Sequence, residues 1–529
     1  MDLHSAGHRR GAVCAPHSVA VEVGRSILAE GGNALEAMVA MAAAIAVVYP
    51  HMTHLGGDGF WLLREPSGLV RAIMAAGVAG ALARPELYRE YETIPPRGPL
   101  AALTVPGAVG GWILALEAAK ANGGRLSLDV LLGPAIAHAR NGYLVTRSQA
   151  RLTKEHLAEL ERVPGFAEKF LFDGKPPEVG TKLRQVVLAA TLGHLAHSGL
   201  DDFYRGDVGR EIAADLARIG SPLTREDLAR YRAAVAEPLS VELPSGTVHN
   251  TDAPTQGIAS LMILALFARL RVTEAEGFDH VHSLVEATKR ALRARDRVVT
   301  DPNRLAHALD RCLEARFIAG EAMKIDRRKA ARWPLQSETA DTVWMGAVDA
   351  NGLVVSYIQS LYWEFGSGCA LPATGVLMQN RGISFSLVRG ALNLLEPGRL
   401  PLHTLNPALA VLKDGRVMAY GTMGGDGQPQ TQAAVFTRHI DFGEPLAEAI
   451  DRPRWVLGRT WGKALSTLRL EPRFDGRLVD ALEAAGHGVE VLPEDYSDVM
   501  GHAGAAVLHP DGTCEAAHDP RSDGGAAGV

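Results

Sequence analysis

The chain of 529 residues has few cysteines, few aromatic residues and no excess of positive charge. Its cysteines, Cys14, Cys312, Cys369 and Cys514, lie far apart and match neither the spacing of metal ligands nor a dense disulfide framework. The formal net charge is -6, with acidic and basic residues interspersed, so no basic stripe is available to neutralise phosphates. We therefore expect free thiols, a reducing cytoplasm and no nucleic-acid partner.

Long apolar runs are also missing. The most apolar stretch, residues 37–49, is rich in alanine and is shorter than the roughly 20 residues needed to cross a bilayer. Residues 1–17 include Arg9 and Arg10 but lack the apolar stretch that a secretory signal carries behind its basic segment. Because 47% of the residues are hydrophobic, the chain can bury a large core. A globular protein without a membrane partner is expected.

Apolar periodicity predicts helices that alternate with hairpins. The predicted helical parts are a helix from residue 18, a second over 35–48 capped by Asn33, a helical layer over 127–232, a helix over 257–270 and charged helices from 278 to about 331. The predicted hairpin pairs residues 60–63 with 69–74, and the last 30 residues indicate a tail on the surface. Such alternation is typical of an α+β layered domain.

Asn351-Gly352 is the strongest hairpin signal in the chain. It separates two short apolar stretches that are predicted to pair as strands, residues 343–349 and 353–360. If the loop has two residues, Ser360 lies opposite Val343 and beside Thr342. The hairpin thus brings two hydroxyl groups together at the start of a strand.

Thr342 follows a polar, irregular segment, residues 327–341, which is expected to be exposed. A threonine hydroxyl is a weak nucleophile unless a base takes its proton, and an N-terminal threonine carries such a base in its own α-amine, with a pKa of about 8. Cleavage before Thr342 would create that amine. The same hydroxyl could first attack the Asp341 carbonyl and form an ester that water resolves. We therefore predict self-cleavage between Asp341 and Thr342, with Thr342 as the nucleophile.

A glycine-rich turn, residues 421–427, follows a predicted strand and is a candidate oxyanion site. Negative charge that develops on an attacked carbonyl needs preorganised donors, and successive N–H groups at such a turn can form an anion-binding nest. Gly424 and Gly425 are the candidate donors. Taken alone, this turn is more typical of simple chain reversal, since glycine serves turns generally.

His51, His54 and Asp58 have a spacing that can ligate a metal, but no convincing further ligand follows. Neutral histidines also serve as hydrogen-bonding core residues. The cluster is therefore interpreted as a structural loop near the site, and neither a metal nor another cofactor is expected. Trp455 and Trp461 are expected to pack in the core.

Eight short motifs in order resemble the gamma-glutamyltransferase family over residues from about 10 to the C-terminus. The motifs are Gly31-Gly-Asn-Ala-Leu-Glu-Ala37, Gly56-Gly-Asp-Gly-Phe60, Val105-Pro-Gly-Ala-Val109, Ala139-Arg-Asn-Gly-Tyr143, Asp341-Thr-Val343, Phe365-Gly-Ser-Gly368, Pro401-Leu-His-Thr-Leu-Asn-Pro407 and Gly424-Gly425. The resemblance implies an N-terminal-nucleophile hydrolase with a four-layer αββα sandwich. It also implies a proenzyme that cleaves itself into a large chain, residues 1–341, and a small chain, residues 342–529, which together form one domain.

The resemblance assigns roles to individual positions. They are Thr342 as nucleophile, Ser360 as the hydroxyl that binds its amine, Gly424 and Gly425 as the oxyanion hole, and His403 and Thr404 in place of two serines that contact the substrate. Each assignment depends on the aligned motif, and none follows from periodicity.

Two departures from the family pattern concern substrate recognition. Where gamma-glutamyltransferases hold the α-ammonium of the substrate with Asn, Gln and Asp, this chain has Tyr362, Arg381 and Ser384. The Arg-Glu motif that grips the glutamyl carboxylate has no counterpart in residues 72–76. A planar guanidinium suits a carboxylate, so Arg381 predicts a small amide that bears one. Residues 362–368, 379–384, 421–430 and 519–524 most resemble the branch of the family that hydrolyses oxamate. That resemblance implies hydrolysis of oxamate to oxalate and ammonia, in purine or allantoin nitrogen catabolism.

Several alternatives stay open at this point. Arg381 could form a structural ion pair with Asp349 or Glu364, and His403 could bind backbone. The enzyme could be a gamma-glutamyl hydrolase or transpeptidase acting on glutathione, or an acylase that cleaves glutaryl side chains from β-lactams. An unprocessed relative that only binds carboxylates is the non-enzymatic alternative. The sequence also leaves open whether two large-chain and small-chain pairs form a homodimer of heterodimers.

Overall fold

The computed structural model describes residues 1–333, 341–458 and 466–529, with Asp341 described by its backbone alone. Trp461 therefore lies outside the described residues, whereas Trp455 is buried, as expected. The strands are β1 (His4–His8), β2 (Gly11–Ala15), β3 (Asp58–Arg64), β4 (Val70–Ala75), β5 (Tyr143–Leu144), β6 (Lys182–Leu183), β7 (Ala234–Ala236), β8 (Leu239–Leu243), β9 (Gly246–Asn250), β10 (Asp341–Asp349), β11 (Val354–Tyr362), β12 (Ala408–Leu412), β13 (Val417–Thr422), β14 (Trp455–Leu457), β15 (Leu468–Leu470), β16 (Val489–Val491), β17 (Ala503–Leu508), β18 (Cys514–His518) and β19 (Gly525–Gly528).

Helices account for much of the remaining chain. They are α1 (Ser18–Ala29), α2 (Ala34–Val48), α3 (Ala108–Ala121), α4 (Leu128–Asn141), α5 (Arg147–Glu155), α6 (Leu157–Leu160), α7 (Phe166–Phe170), α8 (Val186–Ser198), α9 (Asp202–Arg205), α10 (Asp207–Ile219), α11 (Arg225–Arg230), α12 (Gly257–Leu270), α13 (Phe278–Val298), α14 (Ala315–Ala322), α15 (Gln428–Phe436), α16 (Leu446–Asp451) and α17 (Gly476–Ala484).

Two seven-stranded antiparallel sheets form the centre of the fold. The first has the strand order β1-β18-β17-β13-β12-β9-β8, and the second has the order β19-β2-β10-β11-β3-β4-β7. A cluster of small and aliphatic side chains fills the space between them. Helices α1 to α3 cover the outer face of the second sheet, α4 packs on α2, and α8 packs on α4. Helices α12 and α15 cover the first sheet, and α13 packs on both of them. This arrangement confirms the four-layer αββα sandwich.

Both sheets combine strands from each side of the predicted cleavage site. The first sheet takes β1, β8 and β9 from residues 1–333, and the second takes β2, β3, β4 and β7 from the same part. The other strands of both sheets come from residues 341–529. Neither part of the chain can therefore complete a sheet without the other, whereas the cleavage itself stays a prediction.

Local sequence signals explain several helix boundaries. Asn33 caps α2 with a reciprocal capping box, since its side chain accepts from the Glu36 N–H and the Glu36 carboxylate accepts from the Asn33 N–H. Thr224 and Asp227 cap α11 in the same way. The bounds of α12 agree with the predicted range, 257–270.

Two expectations were wrong. The last 30 residues form no surface tail, because β17, β18 and β19 are integral strands whose alanines, among them Ala505 and Ala516, are fully buried between or beneath the layers. The small side chains of this segment allow its strands to pack closely. The high frequency of small residues was wrongly interpreted as that of a surface loop. The charged helices also stop short of residue 331, since α14 ends at Ala322 and residues 327–333 contain neither helix nor strand.

Among the described residues, no helix combines the length and apolar character that crossing a bilayer requires. All four cysteines are free thiols, as expected, and three of them are buried.

Trp344 occupies the narrow space between the two sheets. Its indole Nε1 donates to the Ser356 hydroxyl at 2.9 Å, and its ring packs against Gly346, Gly421 and Gly504 so closely that a Cβ on any of the three would overlap it. The absence of side chains at these three positions therefore allows the short distance between the two sheets around Trp344.

Replacing Gly421 by alanine is expected to destabilise the protein, because the added Cβ would overlap the indole of Trp344. Overpacking of a core costs about 1–3 kcal/mol, so the midpoint of thermal unfolding should fall. Gly488→Ala is the matched control, since nothing lies within 4 Å of a Cβ at that position. Equal midpoints for the two variants would contradict this packing constraint.

Candidate active site

Thr342 is the second residue of β10 and is 1% exposed. The loop of the hairpin has three residues and ends in Gly352, whose φ is +99°. Val343 therefore pairs with Gln359. The prediction that it pairs with Ser360 assumed a two-residue loop and was wrong. Beyond that pair the register shifts, and Asp341 pairs with Tyr362. One residue on β10 thus faces two on β11, which is a β-bulge opposite Thr342.

The bulge holds Ser360 in a defined position beside Thr342. Its hydroxyl accepts a hydrogen bond from the Tyr362 N–H at 2.7 Å, and its backbone pairs with Asp58 of β3 on the other side. Tyr362 itself has φ of +85°, a conformation that costs free energy in a non-glycine residue. Strained backbone in this place is consistent with a functional constraint.

The loop that precedes β3 approaches the bulge closely. A Cβ on Gly56 or Gly57 would overlap the carbonyl of Leu377 or Ser360, respectively. The next residue, Asp58, is 1% exposed. Its Oδ1 accepts from the Gly107 N–H at 2.9 Å and the Gly77 N–H at 3.3 Å. The glycines therefore let a buried carboxyl group lie opposite Ser360, on the strand that β11 separates from β10.

His403 faces this carboxyl group. Its Nε2 lies 3.5 Å from Asp58 Oδ2, its ring packs edge-on against Phe60, and neither ring nitrogen has a hydrogen-bond partner among the described residues. Its backbone N–H donates to the Pro254 carbonyl at 2.9 Å. Burial lowers the pKa of His403 well below its ordinary value, and Arg381 lowers it further. The imidazole is therefore neutral.

Arg381 is 1% exposed and lies over the ring of Tyr362, with its guanidinium carbon 3.6 Å from the ring centroid. Its Nη1 donates to the Leu402 carbonyl at 3.5 Å. Ser384, in the same short 3-10 turn, donates to the carbonyls of Leu402 at 3.0 Å and Arg381 at 3.1 Å. Its hydroxyl therefore fixes the turn that presents the guanidinium.

The carboxylates considered as ion-pair partners of Arg381 have other contacts. Asp349 accepts from the N–H groups of Ala34, Asn351 and Leu353. Glu364 lies 3.7 Å from His156 Nε2. Neither set of contacts involves Arg381.

The Gly424-Gly425 turn lies between β13 and α15. Gly424 has φ of +117° and Gly425 has φ of +52°, which glycine adopts without strain. Among the described residues, no acceptor takes a hydrogen bond from either N–H group. Trp344 packs on Gly421, so the N-terminal end of β10 and this turn lie at the same end of the sandwich. The turn is thus suited to stabilise an oxyanion near Thr342.

Gln256 connects this turn to the loop that carries Thr404. Its Nε2 donates to the Gly425 carbonyl at 2.7 Å and to the Thr404 carbonyl at 2.6 Å. Its Oε1 accepts from Arg295 at 2.7 Å, and Arg295 also forms a buried ion pair with Asp426. Every polar atom of the Gln256 side chain is thus satisfied. The Thr404 hydroxyl has no partner among the described residues and is available to a ligand.

Histidines 51 and 54 do not converge as metal ligands. Nε2 of His51 lies 3.2 Å from the Ser148 hydroxyl, and Nδ1 of His54 accepts from the Leu377 N–H at 3.1 Å. A different group, His282, Glu286 and His487, places three ligand atoms within 4.8 Å of one another. The side chains of this group already form hydrogen bonds. One of 2.9 Å joins the two imidazoles, and Lys289 donates one of 2.6 Å to Glu286.

Comparison with known proteins agrees with this geometry. A family model described as gamma-glutamyltranspeptidase matches residues 20–529. The chain belongs to this family. The oxamate amidohydrolase proenzyme of Klebsiella pneumoniae subsp. pneumoniae is 51% identical over 99% of this chain and 100% of that protein. The glutathione hydrolase-like YwrD proenzyme of Bacillus subtilis is 40% identical over 98% of each chain.

Among solved structures, the cephalosporin acylase from Bacillus halodurans superposes with a TM-score of 0.90 at 30% identity and covers 99% of this chain and 97% of that one. The resemblance to the gamma-glutamyltransferase family and the expected sandwich are thereby confirmed. As a member of this family, the chain is an enzyme, a hydrolase that acts on amide bonds.

Sequence reasoning missed three residues that shape the site of this family member. Asp58 was interpreted as part of a structural loop, and Gln256 and Arg295 were not singled out at all. The only signal for Gln256 was its position at the start of an apolar helix, α12, after the turn-prone residues 252–255. Arg295 belongs to a charged helix, in which a buried cation cannot be told from exposed ones by sequence pattern.

Gln256→Ala is expected to slow amide hydrolysis by about 10- to 100-fold, because displacing reacting groups by about 1 Å can lower the rate by about 100-fold. The carbonyls of Gly425 and Thr404 would lose their common donor. Gln185→Ala is the control, since the Gln185 amide donates to the Val47 carbonyl at 2.7 Å in the helical layer. An unchanged rate in Gln256→Ala would argue against a positioning role.

Proposed function

We propose that this chain is a self-processing amidohydrolase that cleaves itself between Asp341 and Thr342 and then hydrolyses a small carboxylate-bearing amide, with oxamate as the first candidate. The observation that carries the proposal is the buried Arg381 guanidinium, stacked on Tyr362 beside His403 at the end of the sheets where Thr342 lies. The 51% identity to an oxamate amidohydrolase proenzyme supports the same substrate.

Self-cleavage would begin with attack of the Thr342 hydroxyl on the Asp341 carbonyl, followed by hydrolysis of the resulting ester. The new α-amine then serves as the base for the same hydroxyl. In turnover, the hydroxyl attacks the amide carbonyl, and the N–H groups of Gly424 and Gly425 stabilise the oxyanion. The amine returns the proton to the leaving nitrogen, ammonia departs, and water attacks the acyl-enzyme ester to release oxalate.

Recognition of the carboxylate is assigned to Arg381, since a guanidinium can donate two parallel hydrogen bonds to it. Ser384 and Tyr362 hold this guanidinium, the first by fixing its turn and the second by stacking. Thr404 and His403 offer polar atoms without partners in the described part of the chain. A two-carbon substrate would place its carboxylate and its amide within one small pocket.

A gamma-glutamyl hydrolase is the second candidate, favoured by the 40% identity to a protein named glutathione hydrolase-like. Residues 72–76, within and just after β4, lack an arginine for a glutamyl carboxylate, which favours the shorter substrate. Release of ammonia from oxamate, measured beside release of glutamate from glutathione, decides between the two. The free thiols are consistent with a cytoplasmic enzyme, and pairing of two processed molecules stays a prediction.

Thr342→Ala should yield one uncut chain without turnover, because it removes the hydroxyl that both reactions use. Thr342→Ser keeps a hydroxyl and should be cut into residues 1–341 and 342–529 and retain activity. Denaturing electrophoresis and N-terminal sequencing of the smaller product check both outcomes. A Thr342→Ala protein that is cut and active would refute the assignment of the nucleophile.

Arg381→Lys should be processed normally but should hydrolyse oxamate with a kcat/KM about 10- to 100-fold lower, as expected for the loss of a charge-assisted pair of hydrogen bonds. Arg64→Ala is the control, since Arg64 donates to the Gly352 carbonyl at the opposite end of β3. If Arg381→Lys keeps full kcat/KM, Arg381 does not bind the carboxylate.

A further inference from the structure

The irregular segment ahead of the predicted cleavage site is bound to helix α13. Residues 326–333 contain neither helix nor strand, yet side chains of α13 hold their backbone at several points. His282 Nε2 donates to the Asp326 carbonyl at 2.9 Å, and the Arg327 guanidinium lies 3.7 Å from the Asp279 carboxylate. The reaction described above gives these side chains of α13 no part.

Ala331 is held through both of its backbone groups. Its N–H donates to the Glu286 carboxylate at 3.1 Å, and its carbonyl accepts from Lys289 Nζ at 2.7 Å. Glu286 and Lys289 also pair with each other at 2.6 Å, and each is 2% exposed. A buried ion pair is costly unless its remaining polar atoms are satisfied. In this pair, backbone groups of the segment satisfy them.

Arg293 fixes the next two residues of the segment. Its guanidinium donates to the Arg332 carbonyl and lies over the ring of Trp333, 5.9 Å from the ring centroid. Trp333 also packs against the core cluster that α12 and α13 form with the first sheet. The attachment to α13 therefore continues to residue 333.

The residues of α13 that bind the segment are three or four positions apart, so they lie on one face of the helix. We call them the α13 anchor: Asp279, His282, Glu286, Lys289 and Arg293. Asp279 lies beside Arg327, whereas Arg293 binds Arg332, so the segment runs along this face in the direction of the helix. It therefore approaches the end of α13 where Arg295 binds Asp426 beside the glycine turn.

The chain between the anchor and the cleavage site is fixed at both ends. Asp341 follows Trp333 by eight positions, a distance of at most about 29 Å for an extended chain. Asp341 is itself paired with Tyr362. Attack by the Thr342 hydroxyl requires the Asp341 carbonyl within a narrow range of distance and angle. Fixed ends reduce the number of conformations that the chain must give up to reach that geometry.

We propose that the α13 anchor positions the segment for self-cleavage and takes no part in hydrolysis of the substrate. The inference rests on the proposed function. In self-cleavage the acyl group of Asp341 passes from the Thr342 nitrogen to Thr342 Oγ, and the hydroxyl proton passes to that nitrogen. Water then splits the ester, which leaves a carboxyl group on Asp341 and restores the hydroxyl. After this step the anchor holds only the end of the large chain.

Arg293→Ala is the first test, because Arg293 is partly exposed and its loss leaves no unpaired charge in the core. The full chain is made by cell-free synthesis, and denaturing electrophoresis follows its conversion into two chains. We expect cleavage to be about 10- to 100-fold slower than in wild type. The kcat for oxamate, expressed per Thr342 N-terminus counted by N-terminal sequencing, should not change. Arg293→Lys keeps a cationic donor for the Arg332 carbonyl and should recover much of the cleavage rate.

Arg290→Ala is the matched control. Arg290 lies on the same helix and also binds a carboxylate and a carbonyl, but these belong to Glu321 at 3.4 Å and Lys324 at 3.1 Å, at the end of α14. It should be cleaved at the wild-type rate. A second test combines Glu286→Leu with Lys289→Met, which removes both buried charges together. This double variant loses both contacts with Ala331 and should also be cleaved slowly, with an unchanged kcat per Thr342 N-terminus.

The inference would be overturned if Arg293→Ala and the double variant were cleaved at the wild-type rate. A fall in kcat per Thr342 N-terminus as large as the fall in cleavage rate would also overturn it, and so would equally slow cleavage of Arg290→Ala, since both indicate a general structural role. These outcomes leave the proposed function intact. A wild-type chain that is never cleaved would overturn the proposed self-processing and the inference together.

Discussion

Charge buried where the two sheets meet is the constraint on which the site depends. A charged group removed from water must be neutralised or paired, since an isolated one costs several kcal/mol. Arg295 meets this requirement through Asp426 and Gln256, and the same bonds fix the Gly425 carbonyl. Asp58 accepts from the Gly107 and Gly77 N–H groups, and Arg381 lies over the ring of Tyr362 and donates to the Leu402 carbonyl. The contacts of these charged groups therefore also hold the loops around the candidate site.

Close approach of backbone segments brings these charges together. Gly56 and Gly57 allow their loop to touch the carbonyls of Leu377 and Ser360, and Gly421 lets β13 pack on Trp344. Gly57 thus joins a segment of residues 1–333 to β11 and Gly421 joins the first sheet to β10, whereas Gly56 contacts the chain that follows β11. Small side chains thus determine the distances between groups that lie far apart in sequence, and larger ones would separate the nucleophile from its proposed oxyanion donors.

The parts that sequence predicted well depend on local rules. Asn33 starts α2 through hydrogen bonds to a residue three positions away, and the apolar helix α12 was predicted with its observed bounds. The C-terminal strands were missed because their evidence is not local: Ala526 pairs with Cys14 across almost the whole chain. Gln256 and Asp58 were missed for the same reason, as their partners come from distant segments. Family motifs located the site residues but could not show which contacts hold them.

The described register indicates why processing needs little rearrangement. Asp341 is paired with Tyr362 at the first position of β10, and the bulge opposite Thr342 interrupts the ladder immediately after it. Breaking the bond between Asp341 and Thr342 would release only that terminal pair, because β10 keeps its pairing with β11 from Val343 onward and with β2 from Gly346 to Asp349. Both sheets already contain strands from each side of this bond. The surroundings of Thr342 are therefore built in the uncut chain, and the proposed cleavage would add one group to them, the α-amine proposed as the base.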